Sequence, residues 1–273
     1  MIYPYNLHSH TVFGDGSNTP GEMAEAAYKK GFKTFGFSEH SVLPWYEEWC
    51  MTAYGQSEYI KAVNELKNEY EGKMEIALGI EMDFNSEYTE KQLKPFDYVI
   101  ISVHSVRGSD GKIHYADSSE EKMLDGIRVF GCAKAYAEAY FKNVIAASNV
   151  RYADILGHFD LLLKYNEREK FIDENDGWYR DLSLWAAGEV AKSGIIVEVN
   201  TGAISRKKRS VPYPTKEVIE YMAKKGVRFI LSSDTHSVET LDCYFEESVE
   251  LLKSCGVTSL VTYENGSFRE IKI

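Results

Sequence analysis

The sequence predicts an α/β protein in which βα units follow one another around a parallel sheet, closed as a barrel or open and doubly wound. Three observations predict it. Short β-branched and aromatic runs alternate with longer helical patterns. The 273 residues suit one α/β barrel. No linker, repeat or low-complexity stretch divides the chain, so residues 1–273 are expected to form a single domain.

Strands are expected at Asn6–His10, Thr34–Glu39, Glu75–Glu81, Tyr98–His104, Asp154–His158, Ile195–Asn200, Phe229–Ser233 and Ser259–Tyr263. The first helix is marked by Thr19-Pro20-Gly21-Glu22, which offers a capping hydroxyl, Pro in the first turn and Glu three residues after the cap, and by Gly31 at its end. Further helices are expected at Ser57–Tyr70, Ser119–Ser148, Trp178–Ser193, Thr215–Lys225 and Glu239–Ser254. Gly194 and Gly226 stand between a helix and the next strand, where a left-handed residue closes the helix.

Composition removes several classes of function. The chain carries 31 Lys and Arg against 42 Asp and Glu, a formal charge of −11, so broad binding to a nucleic-acid backbone is disfavoured. With 44% hydrophobic and 27% charged residues it has a core to bury and is not a disordered chain. No apolar run reaches the ~20 residues of a membrane helix. The opening Met1-Ile2-Tyr3-Pro4 lacks the basic and apolar regions of a signal peptide, and a cytoplasmic protein is expected. Cys50, Cys132, Cys243 and Cys255 are far apart, so neither a thiolate zinc site nor a disulfide framework is implied.

Six of the seven histidines fall at or just past the expected end of a strand. In either architecture those ends face one crevice. In His8-Ser9-His10, alternate residues project to one side of a strand and two imidazoles can share a metal. Asp15 follows in a glycine-flanked loop that can bring its carboxylate back. His40 and Glu81 close the second and third strands, with Asp83 as an alternative ligand. His104 and His158 directly follow apolar strand sequence, and Asp234-Thr235-His236 repeats the spacing of the first pair with a carboxylate in place of one imidazole. Glu81 ends the apolar run Ile76–Ile80, and a carboxylate there needs a cation to offset its desolvation. His114 lies in a polar segment and receives no metal role. Nine candidates, His8, His10, Asp15, His40, Glu81, His104, His158, Asp234 and His236, exceed one tetrahedral ion and suit two or three ions with shared carboxylates.

These residues resemble the polymerase-and-histidinol-phosphatase (PHP) family of metal-dependent phosphoesterases and, within it, the histidinol phosphatases. The resemblance runs through His8-Ser9-His10-Thr11 with Asp15-Gly16, Ser38-Glu39-His40, Gly79-Ile80-Glu81, Ser102-Val103-His104, Gly157-His158-Phe159-Asp160-Leu161, Glu198-Val199-Asn200-Thr201, Tyr213-Pro214 and Ser233-Asp234-Thr235-His236-Ser237. It implies a distorted (β/α)7 barrel, TIM-like, with seven barrel strands where eight segments are expected above, and the Ser259–Tyr263 run outside the barrel. It further implies that His8, His10, Glu81 and Asp234 hold one metal, that Glu81 bridges to a second held by His104 and His158, and that Asp15, His40 and His236 hold a third. Glu39 stands where the family often has Asp.

The resemblance implies a phosphatase of histidine biosynthesis that hydrolyses L-histidinol phosphate through hydroxide bridged between two or three divalent ions, Zn, Mn or Fe. Asp234 and Glu81 are the expected catalytic groups. Ser105, Arg107, Glu198, Asn200 and Arg206 are expected substrate contacts, Arg for bidentate phosphate binding, with Glu198 alternatively a hydrogen-bonded barrel residue and Lys207 and Lys208 as readily a solvated basic loop. The alternatives are the same chemistry on another small phosphomonoester or nucleotide, or an inert metal-binding barrel. Partners are then a small phosphorylated substrate, with no long nucleic acid and no membrane.

Overall fold

The computed structural model describes residues 2–45, 47–168 and 170–273. Met1 of the expected leaderless start lies outside the described residues. The chain begins with β1 (Tyr5–Asn6), α1 (Pro20–Lys30), β2 (Thr34–Phe37), α2 (Ala53–Glu69), β3 (Glu75–Asp83), α3 (Glu90–Leu93) and β4 (Tyr98–Ser102). A small hairpin, β5 (Ser105–Arg107) and β6 (Ile113–Tyr115), interrupts the alternation before α4 (Glu120–Phe130), α5 (Ala133–Ser148) and β7 (Ile155–Leu156). The chain continues through α6 (Gly177–Ser193), β8 (Ile196–Asn200), α7 (Gly202–Ser205), α8 (Lys216–Lys224), β9 (Phe229–Ser232) and α9 (Phe245–Ser254), and ends in β10 (Ser259–Glu264) and β11 (Ser267–Lys272).

Seven strands form one sheet in the order β1-β2-β3-β4-β7-β8-β9, all neighbours parallel. The sheet curls until its edges meet. A parallel bridge joins Ser9 to Thr235, with His10 N donating to Thr235 O at 2.8 Å. Asn6 reinforces the seam, its Nδ2 donating to Ser233 Oγ at 2.7 Å while its Oδ1 accepts from Ser233 N at 3.2 Å. The architecture is therefore the barrel and not the open doubly wound sheet. As the resemblance implied, Ser259–Glu264 lies outside the seven, paired antiparallel with β11.

The barrel interior is packed, not hollow. Leu7, Ala77, Tyr98, Ile100, Ile155, Ile196 and Ile230 fill it, and Val261 and Tyr263 of β10 join them. The hairpin is tied on by Tyr3 Oη donating to Val261 O and by Thr34 Oγ1 donating to Tyr263 O. Tyr98 spans the interior and donates to Phe37 O at 3.0 Å and to Leu7 O. Its ring lies where a Cβ on Gly79 would stand, 2.2 Å from Cζ, so glycine at 79 is what admits it. Strand alternation does the rest: Ile196 of β8 faces inward and Val197 and Val199 face the helices, so Glu198 and Asn200 share the inward side.

Several elements differ from the expectations. β1 ends at Asn6, so His8 and His10 follow the ladder, and β2, β4 and β7 likewise stop before His40, His104 and His158. The expected Ser119–Ser148 helix is two helices, because Gly131 takes φ +86° and ends the first. The Glu239–Ser254 helix shrinks to a short 3₁₀ turn, Val238–Thr240, followed by α9. The hairpin β5–β6 is new to the structure, and His114 stands on it, bonded to Asp110. No helix among the described residues is long and apolar enough to cross a membrane.

Candidate metal centre

Eight of the nine side chains gather around the ninth, Glu81, which is buried on the inward-facing side of β3, two residues before its end. Its Oε2 lies 3.4 Å from His8 Nε2, 3.6 Å from His10 Nε2 and 2.7 Å from His40 Nδ1; its Oε1 lies 3.4 Å from His104 Nε2 and 3.0 Å from His158 Nε2. One carboxylate thus faces five imidazoles. Asp234 closes the first group, with Oδ1 at 3.3 Å from His10 Nε2 and 3.7 Å from His8 Nε2. Asp15 Oδ1 is 3.1 Å from His236 Nε2 and 3.7 Å from His40 Nε2. Three overlapping donor sets result: His8, His10 and Glu81; His40, Glu81 and His104; and His10, Asp15, His40 and His236.

The backbone places the imidazoles after the strand ends, where side chains are released from the ladder, whereas Glu81 stays within the β3 ladder opposite Ile100. Asp234 takes φ +49°, the left-handed region that Asp tolerates better than most residues. Ser38 and Glu81 continue the β2–β3 pairing by one bridge, His40 to Glu81, which holds the second imidazole over the third strand.

Carboxylates behind the cluster fix the imidazoles. Glu198 Oε1 accepts from His8 Nδ1 at 2.6 Å, and Asp83 Oδ2 accepts from His104 Nδ1 at 2.9 Å. With Nδ1 carrying the proton, the Nε2 lone pair of each ring points at Glu81. Burial and the nearby His40 and His236 push His10 down to about 3, so its ring is neutral. Burial opposes ionisation of Glu81, yet His40, His8 and His104 hold its carboxyl well below the usual range. Against the same burial, Glu198, Glu81 and Asp234 raise His8.

Divalent ions fit this set. Buried His8 Nε2, both His10 nitrogens, His40 Nδ1 and Glu81 Oε2 have no hydrogen-bond partner, although they are close together. Orphaned polar atoms are costly in a native interior. Two donors bonded to one ion at ~2.1 Å and a tetrahedral angle stand about 3.4 Å apart, the spacing found between Glu81 and both His8 and His104. The donor chemistry, imidazole with shared carboxylate, suits zinc, manganese or iron, and the buried clusters can hold several ions.

A cavity opens over the cluster, lined by Asp15, His40, Glu81, His104, His158, Asp234 and His236, together with Asp117, Leu161, Lys164 and Arg206. Of the residues expected at the substrate, only Arg206 lines it; its guanidinium donates to Asp234 Oδ2 at 2.7 Å. Ser105 is buried under Asn85, and Arg107 is exposed and turned to Gly111 O. Glu198 and Asn200 are buried behind the ligands, where Asn200 Nδ2 donates to Glu198 Oε2 at 2.9 Å and Glu198 Oε2 accepts from His158 N at 2.9 Å. Asp117 and Lys164 went unread because neither follows an expected strand. Trp49, also missed, sets its ring edge-on to His40 at 4.8 Å.

The PHP domain family signature matches residues 5–202. The chain belongs to the PHP domain family. This PHP domain is 30% identical over 259 residues to the probable histidinol-phosphatase of Deinococcus radiodurans, covering 91% of this chain and 92% of that protein. It is 26% identical over 263 residues to the histidinol-phosphatase of Bacillus subtilis, covering 89% and 97%. In structure it superposes with TM-score 0.68 on the histidinol phosphate phosphatase of Lactococcus lactis complexed with zinc, L-histidinol and phosphate, at 20% identity over 97% and 99% of the two chains. That likeness gives the fold, a PHP barrel of the same kind.

Proposed function

We propose that the protein is a metal-dependent histidinol-phosphate phosphatase, releasing phosphate and L-histidinol from L-histidinol phosphate. The observation that carries the chemistry is Glu81, one buried carboxylate facing five imidazoles, of which His8, His10 and His40 turn partnerless nitrogens toward it. The substrate comes from the relatives: one match along nearly the whole chain is a histidinol-phosphatase and another bears the name probable histidinol-phosphatase, and the Lactococcus lactis enzyme is complexed with zinc, L-histidinol and phosphate. The nine converging side chains are read as the ligands, with residues 1–273 as one domain working in the cytoplasm.

Bound divalent ions neutralise phosphoryl charge and lower the pKa of water, the two requirements for hydrolysing an anionic monoester. His8, His10, Glu81 and Asp234 would hold one ion. Glu81 with His104 and His158 would hold a second, and Asp15, His40 and His236 a third. Glu198 and Asp83 keep the His8 and His104 rings in the ligating orientation. Arg206 stands at the cavity wall with its guanidinium against Asp234 and His236, able to turn its fork onto a phosphoryl oxygen. Asp234 reaches both the first imidazole pair and Arg206, and against its burial Arg206 and His8 hold its carboxyl well below the usual range, so it is ionised as a ligand must be. The cavity over this core is small, about 100 Å³, which favours a small substrate over a polymer.

The test is phosphate release by protein loaded with Mn²⁺ or Zn²⁺. L-Histidinol phosphate is expected to be turned over with kcat/KM at least about a hundredfold above unrelated monoesters such as glycerol phosphate and nucleoside monophosphates. A flat preference would overturn the substrate while leaving the phosphoesterase chemistry in place.

A further inference from the structure

The reading of the site as a phosphatase of a β-amino phosphomonoester leaves the substrate's positive end unaccounted for. Such a molecule carries an anionic phosphate and, two carbons away, an ammonium. Four carboxylates line the cavity: Asp15, Glu81, Asp234 and Asp117. Asp15 and Glu81 belong to the donor sets, and Asp234 Oδ1 stands 3.3 Å from His10 Nε2 and 3.7 Å from His8 Nε2, so all three face imidazole nitrogens. Asp117 belongs to none of the sets.

We propose that Asp117 is the specificity residue that receives the substrate's ammonium group, an inference that rests on the phosphatase reading above. Asp117 follows β6 on the loop leading to α4 and is anchored by its backbone. Tyr165 Oη donates to Asp117 O at 3.1 Å and to Ser118 O at 2.9 Å, and the neighbouring Ala116 N donates to His104 O at 2.8 Å. The loop is thereby tied to the metal-ligating strand end on one side and to the Leu161–Tyr165 segment on the other. The carboxylate itself is only loosely engaged. Its contact is Lys164 Nζ at 3.4 Å, against 2.6–2.7 Å for the Arg209–Glu174 and Arg206–Asp234 pairs. Burial opposes its ionisation, but Lys164, His104 and His158 keep it charged. An ionised, positioned carboxylate with spare acceptor capacity at the mouth of a cation-rich centre is a receptor for an ammonium group. Lys164, released when the substrate amine takes its place, is left for the phosphate side of the cavity with Arg206. The hairpin β5–β6 exists, on this account, to carry Asp117 to the rim.

The experiment pairs substrates that differ only in the amine: L-histidinol phosphate against its deamino analogue, imidazolylpropyl phosphate, and O-phosphoethanolamine against ethyl phosphate. The wild type is expected to prefer the amine-bearing member of each pair, and Asp117→Asn to lower that kcat/KM ratio about tenfold to a hundredfold, the range for a lost hydrogen bond to a charged group. Calorimetry gives a readout free of turnover: L-histidinol should bind Asp117→Asn correspondingly more weakly, with imidazolylpropanol affinity falling much less. Equal losses on both members of a pair would mean that Asp117 acts on the phosphate through Lys164, and would overturn the proposal. So would a wild type indifferent to the amine in both turnover and binding. A wild type that prefers O-phosphoethanolamine to ethyl phosphate but shows no advantage for L-histidinol phosphate sinks the histidinol reading alone, and the ratio in Asp117→Asn still decides the role of Asp117.

Discussion

Glu198 is the residue whose role differs most from what its position in the sequence conveys. The pattern Glu198-Val199-Asn200 at a strand end reads as a pair of polar groups offered to a ligand. In the structure both oxygens of Glu198 are used, one by the His8 ring and the other by His158 N and Asn200. It is a positioning residue, and replacing it leaves His8 free to rotate or change tautomer. Glu198→Gln is expected to weaken metal binding about tenfold to a hundredfold, the usual effect of removing a carboxylate behind a ligating histidine. Titration of the chelator-stripped protein with Zn²⁺ measures it, and unchanged affinity would show the bond to be incidental. Glu81→Gln goes further, since the amide nitrogen cannot ligate and one of the two groups that share Glu81 loses its oxygen donor. Elemental analysis should find that variant depleted of metal and its turnover down more than about a thousandfold, with the circular dichroism of the parent. Residue identity was legible for the ligands because His and buried carboxylate at strand ends have few other uses. For Glu198 the sequence offered both a substrate contact and a hydrogen-bonded barrel residue, and the distances to His8 and His158 decide for the second; Asp117 and Lys164 were not legible, since their significance lies in a contact between residues 47 positions apart.

At the scale of elements, the alternating pattern located every barrel strand, but β1, β2, β4 and β7 stop sooner than apolar sequence alone indicates, while β3 runs on to Asp83. Ladder hydrogen bonds stop where ligating side chains begin, because His8, His40, His104 and His158 must turn toward Glu81 instead of alternating across the sheet. The capping box of α1 was readable from four residues and is present, with Glu22 N donating to Thr19 Oγ1 and Thr19 N to Glu22 Oε2. The hairpin β5–β6 was not readable, since three-residue strands with polar neighbours carry no period. Nor was the pairing of Gly79 with Tyr98, register partners on β3 and β4 that meet only once those strands pair. That pairing yields a stability prediction. Gly79→Ala places a methyl group inside the Tyr98 ring volume, and overpacking of this kind costs about 1–3 kcal/mol. Urea unfolding should show the loss, and Tyr98→Phe, which removes only the hydroxyl, should not relieve the clash. Recovery of wild-type stability by that second change would relocate the strain to the hydrogen bonds of the hydroxyl.

For the whole molecule, the sequence left barrel and doubly wound sheet open, because both place strand ends in one crevice. The choice is made by contacts between residues more than 220 positions apart, Ser9 with Thr235 and Asn6 with Ser233. The same seam carries metal-ligand candidates on both of its sides, His8 and His10 from β1 and Asp234 and His236 from β9, while Glu81, His104 and His158 reach in from β3, β4 and β7. Ions held there would cross-link strands from around the barrel, and binding that occurs only in the folded state adds RT ln(1 + [L]/Kd) to stability. At a hundredfold excess over Kd that is about 2.7 kcal/mol for each site, and a chain slightly longer than 250 residues should shift by about 2–4 °C per kcal/mol. Chelation is therefore expected to lower Tm by at least about 5 °C without removing helical circular dichroism, because the apolar interior and the basal hairpin do not involve the ligands. Readdition of Mn²⁺ or Zn²⁺ should restore Tm in a concentration-dependent manner. Asp234→Asn keeps a residue suited to φ +49°, so its Tm in chelator should equal that of the chelated wild type while its gain on metal addition shrinks. A Tm indifferent to chelator and to metal in the wild type would show that the seam closes without any ion and that the orphaned imidazole nitrogens are satisfied by water.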